Sequence, residues 1–307
     1  MVNAANVKYD CDTKLLGLLG YPLAHSIASP IHNGLYRFGD INAVMLPMEQ
    51  KNLPGNLDRF FEAVKTLRIQ GFIVTMPYKT RMLPYMDEAS EISRVFNCVN
   101  AVKYKNGKFY GEAFDGYGMC QTIEDAGYML HGREALILGA GGISGVVASE
   151  MARRGVTAFT ILNRTEKKAV QLARTLEEYT GKPVHAGPLT ESELEHAAVR
   201  AGVVAQCTSA GMYRTGTQFP FLEFLSKLGK DAVVIDALYN PPKTAFLKAA
   251  EAAGLPALNG MGMLSNQAEA LTQFFLDRSL GEAGKMEAVR LLAQIVERSM
   301  TRDAAGT

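Results

Sequence analysis

A run of glycines set between two apolar stretches constrains this chain more than any other feature. Ala135 to Leu138 is short and apolar, it enters Gly139-Ala140-Gly141-Gly142, and a helical pattern follows through Arg153. A second apolar stretch, Ala158 to Asn163, completes a βαβ unit of about 30 residues. Glycines let the turn tighten and the backbone approach a pyrophosphate, whose charge is met by the helix N-terminus. Gly139, Ala140, Gly141, Gly142 and Ile143 are therefore expected to bind a dinucleotide; the plainer alternative is an ordinary glycine-rich strand-to-helix turn.

The end of the second strand selects the cofactor. An acidic side chain there would hydrogen-bond a ribose 2′-hydroxyl and repel a 2′-phosphate. This chain offers Asn163, Arg164 and Thr165 instead, with Lys168 one helical step further on. A guanidinium pairs with phosphate and stacks on adenine, so NADP is expected, with NAD a weaker alternative. Against this, Arg164 and Lys168 could simply form a solvated basic helix start.

Upstream lie Lys79, in GFIVTMPYKT, and Asp115, in GEAFDGYG. A lysine and an aspartate ahead of a dinucleotide fold suggest acid–base chemistry delivered to a nicotinamide. Taken alone, Lys79 reads equally well as a solvated strand-end lysine.

The chain has 307 residues, 48% hydrophobic, with a formal net charge of +1. That length implies two domains, and no basic excess points to nucleic acid. Cys11, Cys98, Cys120 and Cys207 show no CxxC spacing, and the first thirty residues lack a charged segment followed by a long apolar one. Reduced thiols and a cytoplasmic location are expected. No apolar run is long enough to span a membrane. No metal is expected, because His25, His32, His131, His185 and His196 share no ligand spacing. His25 and His32 read as loop or helix-start polar residues.

Strand and helix patterns alternate along the chain, giving an α/β fold with a parallel or mixed sheet. Helices are expected over 84–93, 117–130, 166–179, 191–199, 221–228 and 244–253, and a hairpin turn at Asn106-Gly107. From Ser265 to about Met300 the sequence favours helix, with a frayed tail from residue 301. The chain should cross between its domains twice.

Taken in order, GYPLAHSIASPIHN, IVTMPYK, CVNAV, GEAFDG, LILGAGG, LNRT, TSAGM, DALYNPP and NGMGMLSNQA resemble the shikimate dehydrogenase family, from about Leu15 to Phe275. The resemblance implies a substrate domain of residues 1–116 completed by 261–307, and a Rossmann-type NADP domain of 117–260. It implies a cleft where shikimate and 3-dehydroshikimate interconvert, in a monomer or homodimer acting on a small hydroxy acid. It places the catalytic lysine on Lys79 and its aspartate partner on Asp115. Thr75 and Asn100 then face the ring hydroxyls, Tyr239 and Gln267 also face the substrate, and Ser209, Met212, Gly260 and Met263 line the nicotinamide side. Met263 could equally be core packing.

Departures from the family pattern fall in the substrate pocket. Two serines separated by one residue hold the substrate carboxylate in the family, whereas here the stretch reads Ser26-Ile27-Ala28-Ser29-Pro30. Either Ser26 acts with Ala28 in the second position, or Ser29 serves after a one-residue shift. The usual Asn-Val-Thr is Ile73-Val74-Thr75, and the usual Asn-Thr-Asp is Ala113-Phe114-Asp115. Losing amide side chains that pair hydroxyls moves specificity by orders of magnitude, so shikimate, quinate and related cyclic acids all stay open as substrates. Two other classes stay open too: a regulatory or sensor protein with little turnover, and a dehydrogenase acting on a different carbon skeleton.

Overall fold

In the computed structural model, residues 9–24, 26–213 and 216–304 are described, those from 298 onward by backbone only. In chain order the elements are β1 (Lys14–Gly20), α1 (Ala28–Phe38), β2 (Ala43–Glu49), α2 (Asn56–Thr66), β3 (Gly71–Val74), β4 (Glu88–Ala89), α3 (Glu91–Val95), β5 (Ala101–Lys105), β6 (Lys108–Glu112) and α4 (Asp115–Asp125). There follow β7 (Glu134–Leu138), α5 (Ser144–Arg153), β8 (Ala158–Asn163), α6 (Glu166–Thr180), β9 (Val184–Pro188), α7 (Glu191–Ala198), β10 (Ala201–Gln206), β11 (Val233–Asp236), α8 (Ala245–Ala252), β12 (Ala257–Leu258), α9 (Met261–Leu276) and α10 (Gly281–Ala304).

Contacts divide the chain into two compact units. One holds the residues up to Ser90, Val99–Glu112 and everything from Gln267; the other holds Glu91–Cys98 and Ala113–Asn266. The short Glu91–Cys98 excursion adds two crossings to the two expected from sequence.

The first unit carries a mixed sheet in the order β2-β1-β3-β5-β6-β4. β1 runs parallel to β2 and β3, β3 pairs antiparallel with β5, and β5 pairs antiparallel with β6 through the Asn106-Gly107 turn. Both turn residues have positive φ, 53° and 78°, the conformation a two-residue hairpin demands. Leu57, Phe60, Phe61 and Val64 recur at helical spacing on α2 and are buried. They meet Phe72, Val74, Val102 and Phe109 of the sheet, with Phe60 edge-on to Phe72 at 5.0 Å and Phe61 to Phe109 at 4.9 Å. Each such side chain contributes about 1.5–3 kcal/mol of burial.

The second unit carries a wholly parallel sheet in the order β12-β11-β10-β7-β8-β9. Its central strands read EALIL and AGVVAQ because helices cover both faces, so apolar residues run on without alternation. Strand order reverses between β7 and β10, the place where doubly wound sheets bind ligands beyond their strand ends.

Some local expectations change. The helix expected over 84–93 is a single-turn 3-10 segment at Leu83–Tyr85, strand β4 and the short α3. Pro84 supplies no amide to continue a helix. The helix expected over 221–228 is a 3-10 segment at Glu223–Lys227, and the one expected over 117–130 is α4, which starts at Asp115 and ends at Asp125. α10 continues to Ala304, so the tail expected to fray is helical as far as it is described; residues 305–307 lie outside the described residues, as does His25. His32 is neither a loop nor a helix-start residue: it is 2% exposed inside α1, where burial pushes its pKa down to about 4. All four cysteines are free thiols.

Candidate functional site

In the first unit the candidate residues collect where β1, β3 and β5 end or begin. Thr75 directly follows β3 and its N–H donates to the Leu19 carbonyl at 2.8 Å. Its own carbonyl accepts from Tyr78 N–H at 3.0 Å, closing the turn that delivers Lys79. Lys79, half-buried, opens a 3-10 turn, and its carbonyl accepts from Val99 N–H at 2.9 Å. Next to that bond, Asn100 is 2% exposed. Its backbone carbonyl takes the Val74 N–H at 2.7 Å, and its Nδ2 donates to Gln267 Oε1 at 2.9 Å. Gln267 lies on α9 and is buried. Two amides expected at the substrate are therefore joined to each other.

At the start of α1, Ser26 and Ser29 differ sharply. Ser26 is half-buried and its Oγ accepts from Ala28 N–H at 3.4 Å, a local turn bond. Ser29 is 7% exposed, and its Oγ is the one buried side-chain polar atom without a partner among the described residues. Buried hydroxyls are almost always paired. Ile73, where the family carries an amide, is buried in β3.

In the second unit, the glycine loop follows β7. Gly139 has φ +107°, and a Cβ there would lie 2.8 Å from Thr208 Cγ2, on the loop that leaves β10. Gly139 N–H donates to Leu162 O at 2.8 Å, Ala140 N–H to Asn163 Oδ1 at 3.1 Å and Gly141 N–H to Ser144 Oγ at 3.1 Å. The amides of Ala140 and Gly141 thus shape the loop, and those of Gly142 and Ile143 lead into the N-terminus of α5. Gly145 lets α5 pack closely, since a Cβ there would come within 2.3 Å of Phe96 Cδ1.

Asn163 uses both ends of its amide, with Nδ2 donating to the Thr165 carbonyl at 2.9 Å. Arg164, Thr165 and Lys168 are exposed around the first turn of α6, where Thr165 is the N-cap. This donor set suits a phosphate: one guanidinium, one ammonium, one hydroxyl and a helix N-terminus, with no carboxylate at the strand end.

Asp115 opens α4 and is 2% exposed. Ser209 is exposed and Met212 half-buried in the loop after β10, closed by Met212 N–H donating to Ser209 O at 3.1 Å. Tyr239 is half-buried in the loop after β11, and Gly260 N–H donates to Leu238 O at 2.9 Å. Met263 packs in the apolar core with Met119, Ile123 and Cys207, which favours its packing role. Burial pushes the Cys207 thiol far up, helped by the charges of Asp236 and Asp115.

Sequence reasoning passed over Gln206, Asp236 and Thr244, all buried at the ends of β10 and β11 and at the cap of α8. Burial raises the Asp236 carboxyl to about 6, against hydrogen bonds from Leu238, Thr244 and Gln206 that lower it. The available signal was the position of Asp236 as the polar terminus of an apolar strand. Among the described residues no cluster of acidic, histidine and cysteine side chains could hold a metal, and no helix is long and apolar enough to cross a membrane.

Comparison with known proteins finds two family matches along the chain. Residues 18–102 match the shikimate dehydrogenase substrate binding domain, and residues 121–236 match shikimate / quinate 5-dehydrogenase. The shikimate dehydrogenase (NADP(+)) of Alkaliphilus oremlandii is 36% identical over 258 residues, 84% of this chain and 89% of that protein. A shikimate dehydrogenase crystallised with NADP+ superposes with a TM-score of 0.80 at 28% identity, over 93% of this chain and 98% of its own. The 5-ketofructose reductase of Gluconobacter sp. strain CHM43 superposes equally well, with a TM-score of 0.80 at 26% identity over 93% and 100%. With the glycine loop at the switch point of one sheet and matches spanning both halves, this chain belongs to the shikimate dehydrogenase family, a family of NADP-dependent oxidoreductases.

Proposed function

We propose that the protein catalyses the reversible NADP-dependent oxidation of shikimate, or of a closely related hydroxylated cyclic acid such as quinate, at a secondary alcohol. The observation that carries this is Ser29: a buried hydroxyl with no partner costs about 1–3 kcal/mol, and a substrate carboxylate at the start of α1 would satisfy it. Ser26 assists from the same turn. NADP, when bound, accepts the hydride at C4 of its nicotinamide. Lys79 takes the hydroxyl proton as the hydride leaves, and Asp115 orients Lys79 and hydrogen-bonds the reacting hydroxyl. Thr75, the joined Asn100 and Gln267 amides, and Tyr239 fix the remaining hydroxyls.

On the cofactor side, Gly142 and Ile143 amides meet the pyrophosphate, while Arg164, Thr165 and Lys168 hold the 2′-phosphate. Gly139, Ala140, Gly141 and Asn163 set the loop that makes this possible. Ser209, Met212 and Gly260 line the nicotinamide side, with Met263 packing behind. Residues 1–116 with 261–307 form the substrate domain and 117–260 the NADP domain, in a cytoplasmic monomer or homodimer.

The test is absorbance-monitored NADP reduction with shikimate and with quinate, NAD in parallel and Lys79→Ala as control. Turnover lost in the variant supports the reading. Stabilisation by NADP without turnover on a broad alcohol panel would instead support a sensor. A second substrate class is favoured by one observation: Ile73 is buried where an amide is usual, and a similar fold serves a 5-ketofructose reductase. Turnover of an acyclic polyol in preference to either acid would establish it.

A further inference from the structure

We infer that Asp236 is a positioning residue, which through Gln206 and Thr244 holds the loops after β10 and β11 in the shape that presents Ser209, Met212 and Tyr239. The significance of those three side chains rests on the NADP-dependent reading; the clamp itself stands on geometry.

Asp236 and Gln206 are register partners at the ends of adjacent parallel strands. Asp236 Oδ1 accepts from Leu238 N–H at 2.9 Å and from Gln206 Nε2 at 3.2 Å, and Oδ2 accepts from Thr244 Oγ1 at 2.8 Å. Gln206 passes the tie onward: its Nε2 also donates to Ala210 O at 3.1 Å, and its Oε1 accepts from Thr208 N–H. Thr244 in turn caps α8 by accepting from Leu247 N–H at 3.3 Å. One carboxylate thus reaches residues 208 and 210 on one loop, 238 on the other, and the first turn of α8. Three donors converge on it, and the two carboxylate oxygens offer an acceptor to each. Gln206 and Asp236 are 0% exposed and Thr244 2%, so water cannot replace a lost partner. One backbone bond joins the same two loops, Tyr213 N–H to Asn240 O at 3.0 Å, and another ties the loop after β11 to the residue before α9, Gly260 N–H to Leu238 O at 2.9 Å.

The decisive measurement is backbone hydrogen exchange on Asp236→Ala, Asp236→Asn and the milder Thr244→Val, alongside steady-state kinetics. Asp236→Ala should raise exchange at Thr208, Leu238 and Leu247 by about 10-fold or more while β7 and β8 stay protected. Thr244→Val should give a smaller rise on the same segments. Asp236→Asn keeps the Oδ1 acceptor, and the Thr244 hydroxyl can turn to accept from the new amide, so exchange should stay within about 2-fold of the parent. In kinetics, Asp236→Ala should raise KM for NADP and lower kcat, with Asp236→Asn restoring both. Unchanged exchange on the two loops, or an equal rise throughout the unit, overturns the inference. Absent turnover in the parent protein sinks the proposed function but leaves the exchange result to decide this one.

Discussion

In the parallel-sheet unit the polar groups at the strand ends close on one another, with Asp236 accepting three hydrogen bonds, whereas in the mixed-sheet unit the Ser29 hydroxyl is buried with none. The contrast separates two ways of building a site. Where backbone amides and loop shape do the binding, the protein satisfies its side chains internally to fix that shape. At Ser29, where the proposed function has a side chain meet a ligand directly, the fold leaves the partner out and accepts the cost in stability.

The largest test of this contrast is Lys79→Ala. Loss of a general base removes about 10²–10⁴-fold in rate, so kcat should fall by about a thousandfold with the melting temperature almost unchanged; a large loss of stability would make Lys79 a scaffold residue instead. Asp236 tests the other unit through pH. Its folded pKa of about 6 lies above the unfolded 3.8, so the folded state binds more protons between those values. Its contribution to stability is greatest below about pH 4, falls as pH rises to 6, and is level above, about 3 kcal/mol in all. Buried His32, whose pKa is lowered to about 4, contributes a slope of the opposite sign in parent and variant alike, so denaturant unfolding at pH 4, 5, 6 and 7.5 should show stability rising more steeply with pH in Asp236→Asn than in the parent.

Arg164→Ala should weaken NADP by about 10–50-fold, the worth of a charged hydrogen-bonded phosphate contact, with little effect on NAD; equal losses would reject the 2′-phosphate assignment. The smallest effect has the most telling sign. Ser29→Ala should stabilise the free protein by about 1 kcal/mol, because it deletes an unsatisfied hydroxyl, while raising KM for the acid about 10-fold. Destabilisation would show that Ser29 has a structural partner.

The glycine loop was legible in sequence because few residues adopt φ +107° and none but glycine fits against Thr208 at Gly139. Asn106-Gly107 was legible for the same reason. Residues whose role depends on what other strands bring alongside were not. Asp236 at the end of VVID looks like any polar strand terminus until β10 sets Gln206 beside it. His32 reads from sequence as a loop or helix-start polar residue because nothing local reveals that it is buried inside α1. The region 84–93 has helical spacing, but Pro84 and pairing of β4 with β6 outweigh it.

Asn163 binds the Ala140 amide with one end of its side chain and the Thr165 carbonyl with the other. The glycine loop after β7 and the turn after β8 therefore share one internal anchor, and under the proposed function Arg164 and Lys168 contribute through their outward chemistry alone. Cofactor preference becomes an interchangeable cartridge: replacing Arg164 and Lys168 should redirect the enzyme toward another dinucleotide without rebuilding the loop, provided that Asn163 is left in place.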